Sequence, residues 1–210
     1  MDLEVLVRER LEQDVYLRAA LPALVHRVNN ATQILTGLNA LLGLPGGAAL
    51  LAARSGDLDA VSELYERSGW LLGVFGSALG ASTLNERRER DGLVPVLDLA
   101  RELFRRQGRE LAFSGALPLL APRAGRGWEA PWTVGSWLHG ALLAAPAGAC
   151  VRVSMSRDRG AVVLEDDAPF GPERARLART IAARVEGVAC DESVPRLVLA
   201  AAWFEPDAST

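Results

Sequence analysis

From Leu11 to Leu42 apolar residues recur at steps of three and four: Leu11, Val15, Leu21, Leu24, Val28, Ile34 or Leu35, Leu38, and Leu41 or Leu42. That period places them on one stripe of a helix running from about Leu3 to Leu42. A helix of this length cannot hide its stripe alone. The chain must supply partner helices, and a bundle or coiled coil is the simplest solution. Pro22 lies inside the pattern and predicts a kink or a break just before His26.

The run GLPGG, Gly43 to Gly47, stops this helix, with glycine at its C-terminus and proline beyond. Ala48 to Arg54 is alanine-rich and reads as a short helix or as the first turns of the next one. Ser55 or Asp57 can cap a second long helix, from about Leu58 to Leu84. Its stripe is Leu58, Val61, Leu64 or Tyr65, Leu71 or Leu72, Phe75 and Leu79. Gly69, Gly73, Gly76 and Gly80 recur within it. Each costs helix stability, which points to close backbone packing there. The two segments form a helical hairpin. The charged run Glu86 to Gly92 reads as a solvated boundary.

The pattern then changes. Leu93 to Glu110 is amphipathic and helical, with Gly108 near its end. LAFSGALPLLAP reads as a strand and then a loop. Trp132 to Ala145 reads as a helix stopped by Pro146. Cys150 to Ser156, a turn at Arg157 to Gly160, and Ala161 to Glu165 read as a β-hairpin. Pro172 to Val185 is a helix with proline in its first turn. Val194 to Phe204 closes the chain as a strand, or alternatively a helix. The expected class is α+β: a hairpin of helices, then a small sheet with helices on one face.

The 210 residues carry a net charge of −3, which gives no basic surface for nucleic acid. No apolar run reaches the roughly 18–20 residues that cross a bilayer. The N-terminus lacks the basic and apolar regions of a signal peptide, so a cytoplasmic location is expected. Cys150 and Cys190 are too few and too widely spaced for a CxxC metal site, and the default is two buried free thiols.

His26 is one of only two histidines. On a helix it shares a face with Asn30, four residues on, and with Gln33, seven on. Leu24, Val25 and Val28 are expected to turn toward the core. An imidazole is largely neutral near pH 7, and an exposed one among amides is suited to attack a phosphoryl group. An amide at i+4 can hold a phosphoryl oxygen or orient a water. The alternative is an ordinary polar surface residue. His139, beside Trp137 in an apolar helix, reads as a satisfied core histidine. Trp128, Trp132 and Trp137 read as packing residues of the core or of the domain junction.

The stretch HRVNNATQILTGLNALL resembles the H-box of the dimerisation and phosphotransfer domain of bacterial sensor histidine kinases. His26, Asn29, Asn30, Thr36-Gly37 and Leu41-Leu42 fall at or within a residue of the expected places. LDLARELFRRQGRELAF looks like the opening of the kinase ATP-binding domain. LHGALLAAPAGACVRVSMSRDRGAVVLEDDAP looks like its N-box helix, hairpin and first glycine-box strand. The chain also departs from the family. Arg27 stands where an acidic residue follows the histidine, and Ala31 where a proline is expected. The N-box asparagine falls on Gly140. The first glycine box is reduced to Asp166-Asp167-Ala168-Pro169-Phe170-Gly171, and the glycine-rich lid and second box are missing. A triphosphate needs backbone amides from glycine turns and a metal held by side-chain oxygens. Asp166 or Asp167 can still meet an adenine amino group, but that is half a site.

The resemblance therefore implies a degenerate kinase that keeps its histidine, similar to the dimeric histidine phosphotransferases of bacterial phosphorelays. The implied domains are 1–88, a hairpin that dimerises into a four-helix bundle, and 92–206, a degenerate kinase-like α/β sandwich. His26 would be the phosphoacceptor and Asn30 its companion in catalysis. Arg27, Asn29 and Gln33 would flank the site or touch a receiver, with Arg27 drawing in the acidic receiver pocket. The implied partners are a second copy of the chain and response-regulator receiver domains, with no nucleic acid and no membrane. No cofactor and no metal of the chain's own are expected. The alternatives are a receiver phosphatase acting through Asn30 and a non-catalytic dimeric scaffold.

Overall fold

The computed structural model describes residues 14–80, 92–118, 120, 127–191 and 193–205. Helix α1 spans Val15–Leu42. Asp14 caps its N-terminus by accepting from the Leu17 amide at 3.1 Å, which satisfies one of the free N–H groups of the first turn. Helix α1 runs through Pro22 without a break. The ring sits on the exposed side, where the lost backbone hydrogen bond can be replaced by water. On the other side Leu17, Ala20, Ala23 and Leu24 are buried and hold the turn in place. The expected start near Leu3 lies outside the described residues.

A short helix α2 (Gly47–Ala52) leads into α3 (Ser55–Ala78), which begins three residues earlier than its apolar stripe. The antiparallel pair α1 and α3 is the expected hairpin. Its two halves differ. The half next to the chain's remaining elements buries Tyr16, Leu17, Leu24, Trp70, Leu71, Val74 and Phe75. The far half leaves Ile34, Leu35, Leu42 and Leu50 exposed, and Leu72 is exposed on the near half. Val25 is exposed at 55%, contrary to the expected inward placement; Leu24 is buried and Val28 half-buried. A Cβ on Gly69 would meet nothing within 4 Å, so the close packing expected there is not made within one chain.

The second half comprises α4 (Val94–Arg106), β1 (Glu110–Ser114), α5 (Glu129–Ala144), β2 (Cys150–Asp158), β3 (Ala161–Asp166), α6 (Pro172–Arg184), β4 (Val188–Cys190) and β5 (Arg196–Leu199). The five strands run in the order β1-β2-β3-β5-β4. The β1–β2 pair is parallel and is joined through α5, while the other pairs are antiparallel. Arg159 and Gly160, both at positive φ, make the tight turn between β2 and β3. Val151, Val153 and Met155 of β2 alternate inward.

Helix α5 is buried from Glu129 to Leu142. A helix apolar all round must be covered all round, and α1, α3, α4 and α6 all contact it. One hydrophobic core therefore runs from Leu17 and Phe75 of the hairpin through Trp137 to Val153 and Leu197 of the sheet. Cys150 is exposed and Cys190 half-buried, so the expected pair of buried thiols is only partly found; both are free. Burial pushes the Cys190 thiol up to about 11. Among the described residues no helix is long and apolar enough to cross a membrane.

Candidate functional site

The exposed face of α1 carries His26, Asn29, Asn30 and Gln33, all open to solvent. The Asn30 amide donates to His26 Nε2 at 3.2 Å. With Nε2 accepting, a neutral imidazole carries its proton on Nδ1. The nucleophilic lone pair thus lies at Nε2, one helical turn from an amide that already points at it. Thr32 bonds to Tyr65 of α3 just beyond, tying this stretch of α1 to its partner helix.

Arg27 is placed differently from the sequence expectation. One residue on, it lies about 100° round the helix from His26 and turns toward α4. Its Nε donates to Glu102 Oε2, and its Nη2 donates to the Asp98 carbonyl at 2.8 Å. Glu102 also accepts from Arg106 at 2.5 Å, and the Asp98 carboxylate accepts from Arg67 of α3 at 2.9 Å. These ion pairs lie at the junction between the hairpin and α4. The Arg27–Glu102 pair is largely shielded, with side chains only 14% and 10% exposed.

A second joint centres on Asp14. Its Oδ2 accepts from the Trp132 indole at 2.9 Å and from Arg184 at 3.0 Å, while Oδ1 caps α1. Arg184 stacks over Trp132 at 4.3 Å and also donates to the Ala78 carbonyl at 2.7 Å. Trp132 of α5 therefore packs where α1, α3 and α6 come together. Trp137 lies in the core, and Trp128 meets Trp132 edge-on at 6.2 Å. Between α1, α5 and α6 lies a cleft of about 1160 Å³ bordered by Asp14, Tyr16, Ser136 and His139. Tyr16 Oη is buried without a partner and presses on α5. A Cβ at Gly135 would lie 2.2 Å from it, so glycine is what lets the helices meet. Burial first, and the Asp14 carboxylate second, raise the Tyr16 phenol well above its ordinary range.

His139 is buried beside Tyr16, with ring centroids 6.0 Å apart. No described residue hydrogen-bonds its ring, so it is a core histidine without the satisfying partner expected. Burial lowers its pKa, and the Asp14 charge partly opposes the shift. Such a histidine binds fewer protons folded than unfolded as pH falls below the unfolded value of about 6.5. Its contribution to stability is complete above that pH and declines as pH falls toward the folded pKa. The melting temperature is accordingly expected to drop between pH 7 and pH 5, and His139→Phe should flatten part of that drop. Calorimetry across this range checks it; an unchanged slope in the variant would place the titration on other groups.

The same cleft is also bordered by Gly140, Arg174 and Leu177. A Cβ at Gly140 would lie 2.4 Å from Leu177 Cδ2, because α6 packs directly over that position. Asp166 has a fully buried side chain. Its Oδ1 accepts from Arg174 Nη1 at 2.7 Å and from the Ala168 amide at 3.1 Å. Its Oδ2 accepts from Arg174 Nη2 at 2.7 Å and from the Trp137 indole at 2.9 Å. The Arg174 guanidinium lies 4.9 Å from the Trp137 ring and 5.4 Å from the Phe170 ring. Asp167, by contrast, is exposed and pairs with Arg152 at 3.3 Å. Sequence reasoning did not single out Asp14, Arg174 or Arg184; no local spacing marks them.

No protein-family model matches the sequence. No curated protein matches it. Among solved structures the chain is similar to full-length ShkA in complex with AMPPNP, at 18% identity and a TM-score of 0.38, over 85% of this chain and 46% of that one. It thus spans less than half of ShkA. It is similar to a bacterial phosphotransferase solved at 1.7 Å, at 15% identity and a TM-score of 0.38, over 94% of each chain. It is also similar to the Acinetobacter baumannii histidine kinase AdeS, at 15% identity and a TM-score of 0.33, over 87% of this chain and 93% of that one. Likeness at this distance assigns no chemistry to the chain; the chemistry rests on its own residues.

Proposed function

We propose that the chain is a histidine phosphotransfer protein of a two-component phosphorelay. The observation that carries this reading is the exposed His26, set on helix α1 with its Nε2 3.2 Å from the Asn30 amide. In the forward step Nε2 attacks the phosphorus of a receiver's aspartyl phosphate. The N–P bond forms, the P–O bond to the aspartate breaks, and the carboxylate leaves with the electron pair. Once Nε2 is bonded to phosphorus, the Asn30 N–H loses its acceptor and is free to donate to a phosphoryl oxygen. Transfer to a second receiver is the reverse step. Asn29 and Gln33 border the same face and would meet the receiver. Arg27 would act by fixing the hairpin against α4, with its charge already held by Glu102.

Two features argue against an autokinase role. Leu177 stands where a side chain at Gly140, the position at which the resemblance places a metal-holding asparagine, would begin, and Arg174 takes both oxygens of Asp166. The junction of Arg27 and Arg67 with Asp98 and Glu102 also opposes the swinging of one domain against the other that an in-chain transfer would need. The test is direct: radiolabelled, phosphorylated receivers from the same genome are mixed with the protein. Label should move onto it in an acid-labile, His26-dependent form. The second reading, a receiver phosphatase, is favoured by the same Asn30 amide, which can orient a water instead. It requires loss of label as free phosphate, dependent on Asn30, with none passing through the protein.

The homodimer belongs to this proposal. Ile34 (44% exposed), Leu42 (53%) and Leu50 (49%) leave the far half of the hairpin without a cover, and a second hairpin supplies one. Ile34→Glu combined with Leu42→Glu is expected to turn dimer into monomer at micromolar concentration, read by sedimentation. A wild-type monomer under the same conditions would reject the pairing.

A further inference from the structure

Two hydroxyls that border the cleft between α1, α5 and α6 are left without a partner by the fold. Tyr16 and Ser136 are only 4% and 2% exposed, and among the described residues neither hydroxyl is hydrogen-bonded. Helical hydroxyls elsewhere in the chain bond back to the carbonyl four residues earlier, as those of Thr32, Thr36 and Thr180 do. Ser136 makes no such bond. Tyr16 Oη lies against Gly135, the residue before Ser136, so both hydroxyls meet the same turn of α5. The His139 ring borders the cleft one turn further on, 6.0 Å from the Tyr16 ring. A buried hydroxyl is normally bonded, and two unbonded ones beside one open space point to a group that enters from outside the chain.

Charge around the cleft is already matched. Asp14 is held by Arg184, and Arg174 by Asp166. The other charged residues on its border, Glu173 and Arg176, are exposed and of opposite sign. Burial lowers the His139 pKa, so the ring is neutral at neutral pH. An ion would lose its hydration there without gaining a counter-charge. Val15 and Leu143 are exposed on the same border, and Trp128 adds an aromatic face. We propose that the cleft over Tyr16 and Ser136 is a binding site for an uncharged, largely apolar small molecule with a hydroxyl group, of the phenol class. The ligand hydroxyl would accept from the Tyr16 or Ser136 O–H and donate to the other hydroxyl or to His139. Bound there, it bridges α1 of the hairpin and α5 of the second half. The proposal does not depend on the phosphorelay reading, which transfer of label to His26 tests separately.

The test titrates para-fluorophenol against the full chain and follows the fluorine NMR signal of the probe. Wild type should broaden it in the low millimolar range. Tyr16→Phe and Ser136→Ala each remove a hydroxyl that has no partner, so neither variant leaves a new unpaired group and both should fold, as the melting temperature checks. Each should weaken binding by about 2- to 12-fold, the loss of one net hydrogen bond. Fluorobenzene, which lacks the hydroxyl, should bind more weakly than para-fluorophenol to wild type and about equally to wild type and Tyr16→Phe. The anion para-fluorobenzoate should not compete. No binding to wild type, or equal binding of para-fluorophenol by wild type and both variants, would overturn the proposal. So would equally tight binding of the benzoate. Displacement of para-fluorophenol by ADP would give the cleft to a charged nucleotide instead and would overturn it too.

Discussion

His26→Gln is expected to reduce phosphoryl acceptance from a receiver to the background of the assay, while the fold is unaffected. The side chain is exposed and its one hydrogen bond is to another exposed residue. Surface changes of this type alter stability by only about 0.5 kcal/mol. The nucleophile, in contrast, has no substitute. Glutamine keeps a hydrogen-bonding partner for Asn30 but offers no nitrogen lone pair able to form the N–P bond. Asn30→Ala should fall between these extremes. One hydrogen bond to a charged group contributes about 1.5–3 kcal/mol, so its loss should slow transfer about 10- to 100-fold without removing the acceptor. Single-turnover transfer, with the melting temperature followed in parallel, checks both. Label on the His26 variant would sink the relay reading. Retained label loss in that variant, with none in Asn30→Ala, would point to the phosphatase.

The parts of this architecture that were legible in the sequence are those set by short-range periodicity. The hairpin followed from steps of three and four, and the His26–Asn30 face from a separation of one helical turn. Of the kink or break expected at Pro22, the break is not found, since a proline on the exposed side of a helix anchored by Leu17, Ala20 and Leu24 does not interrupt it. The β-hairpin was visible in alternation, whereas β4, three residues long, is too short to show any. The contacts that join the two halves were not legible. Arg27 meets Glu102 across 75 positions and Arg184 meets Asp14 across 170, and neither has a spacing that marks it. Val25 shows the same limit: its exposure depends on what α1 meets in space, which the helical period alone does not specify. That Leu177 of α6 lies where a Cβ at Gly140 would stand likewise became apparent only in the structure.

Asp14→Ala is expected to be the most destabilising single substitution at the junction, by about 3–4 kcal/mol. Three losses combine. Helix α1 loses its N-cap, which typically contributes about 0.5–2 kcal/mol. The Trp132 indole, on a buried helix, loses its acceptor, and an orphaned buried donor costs about 1–3 kcal/mol. Arg184 loses its carboxylate, though the Ala78 carbonyl and the Trp132 ring still hold it, so this adds little. For a chain of this size the total corresponds to a fall of about 10 °C in melting temperature. Asp14→Asn should lose far less, since an amide oxygen can still serve the Leu17 amide or the Trp132 indole. Because Asp14 ties the first turn of α1 to α5 and α6, the damage should be directional. Amide exchange should quicken first in α1 up to Leu24 and at the end of α3, while the strand pairs of β2 and β3 keep their protection. Equal melting temperatures for Asp14→Ala and wild type would show that the hydrophobic contacts of Leu17, Leu24, Trp70 and Phe75 suffice to join the halves. The polar joint would then only select the angle at which they meet.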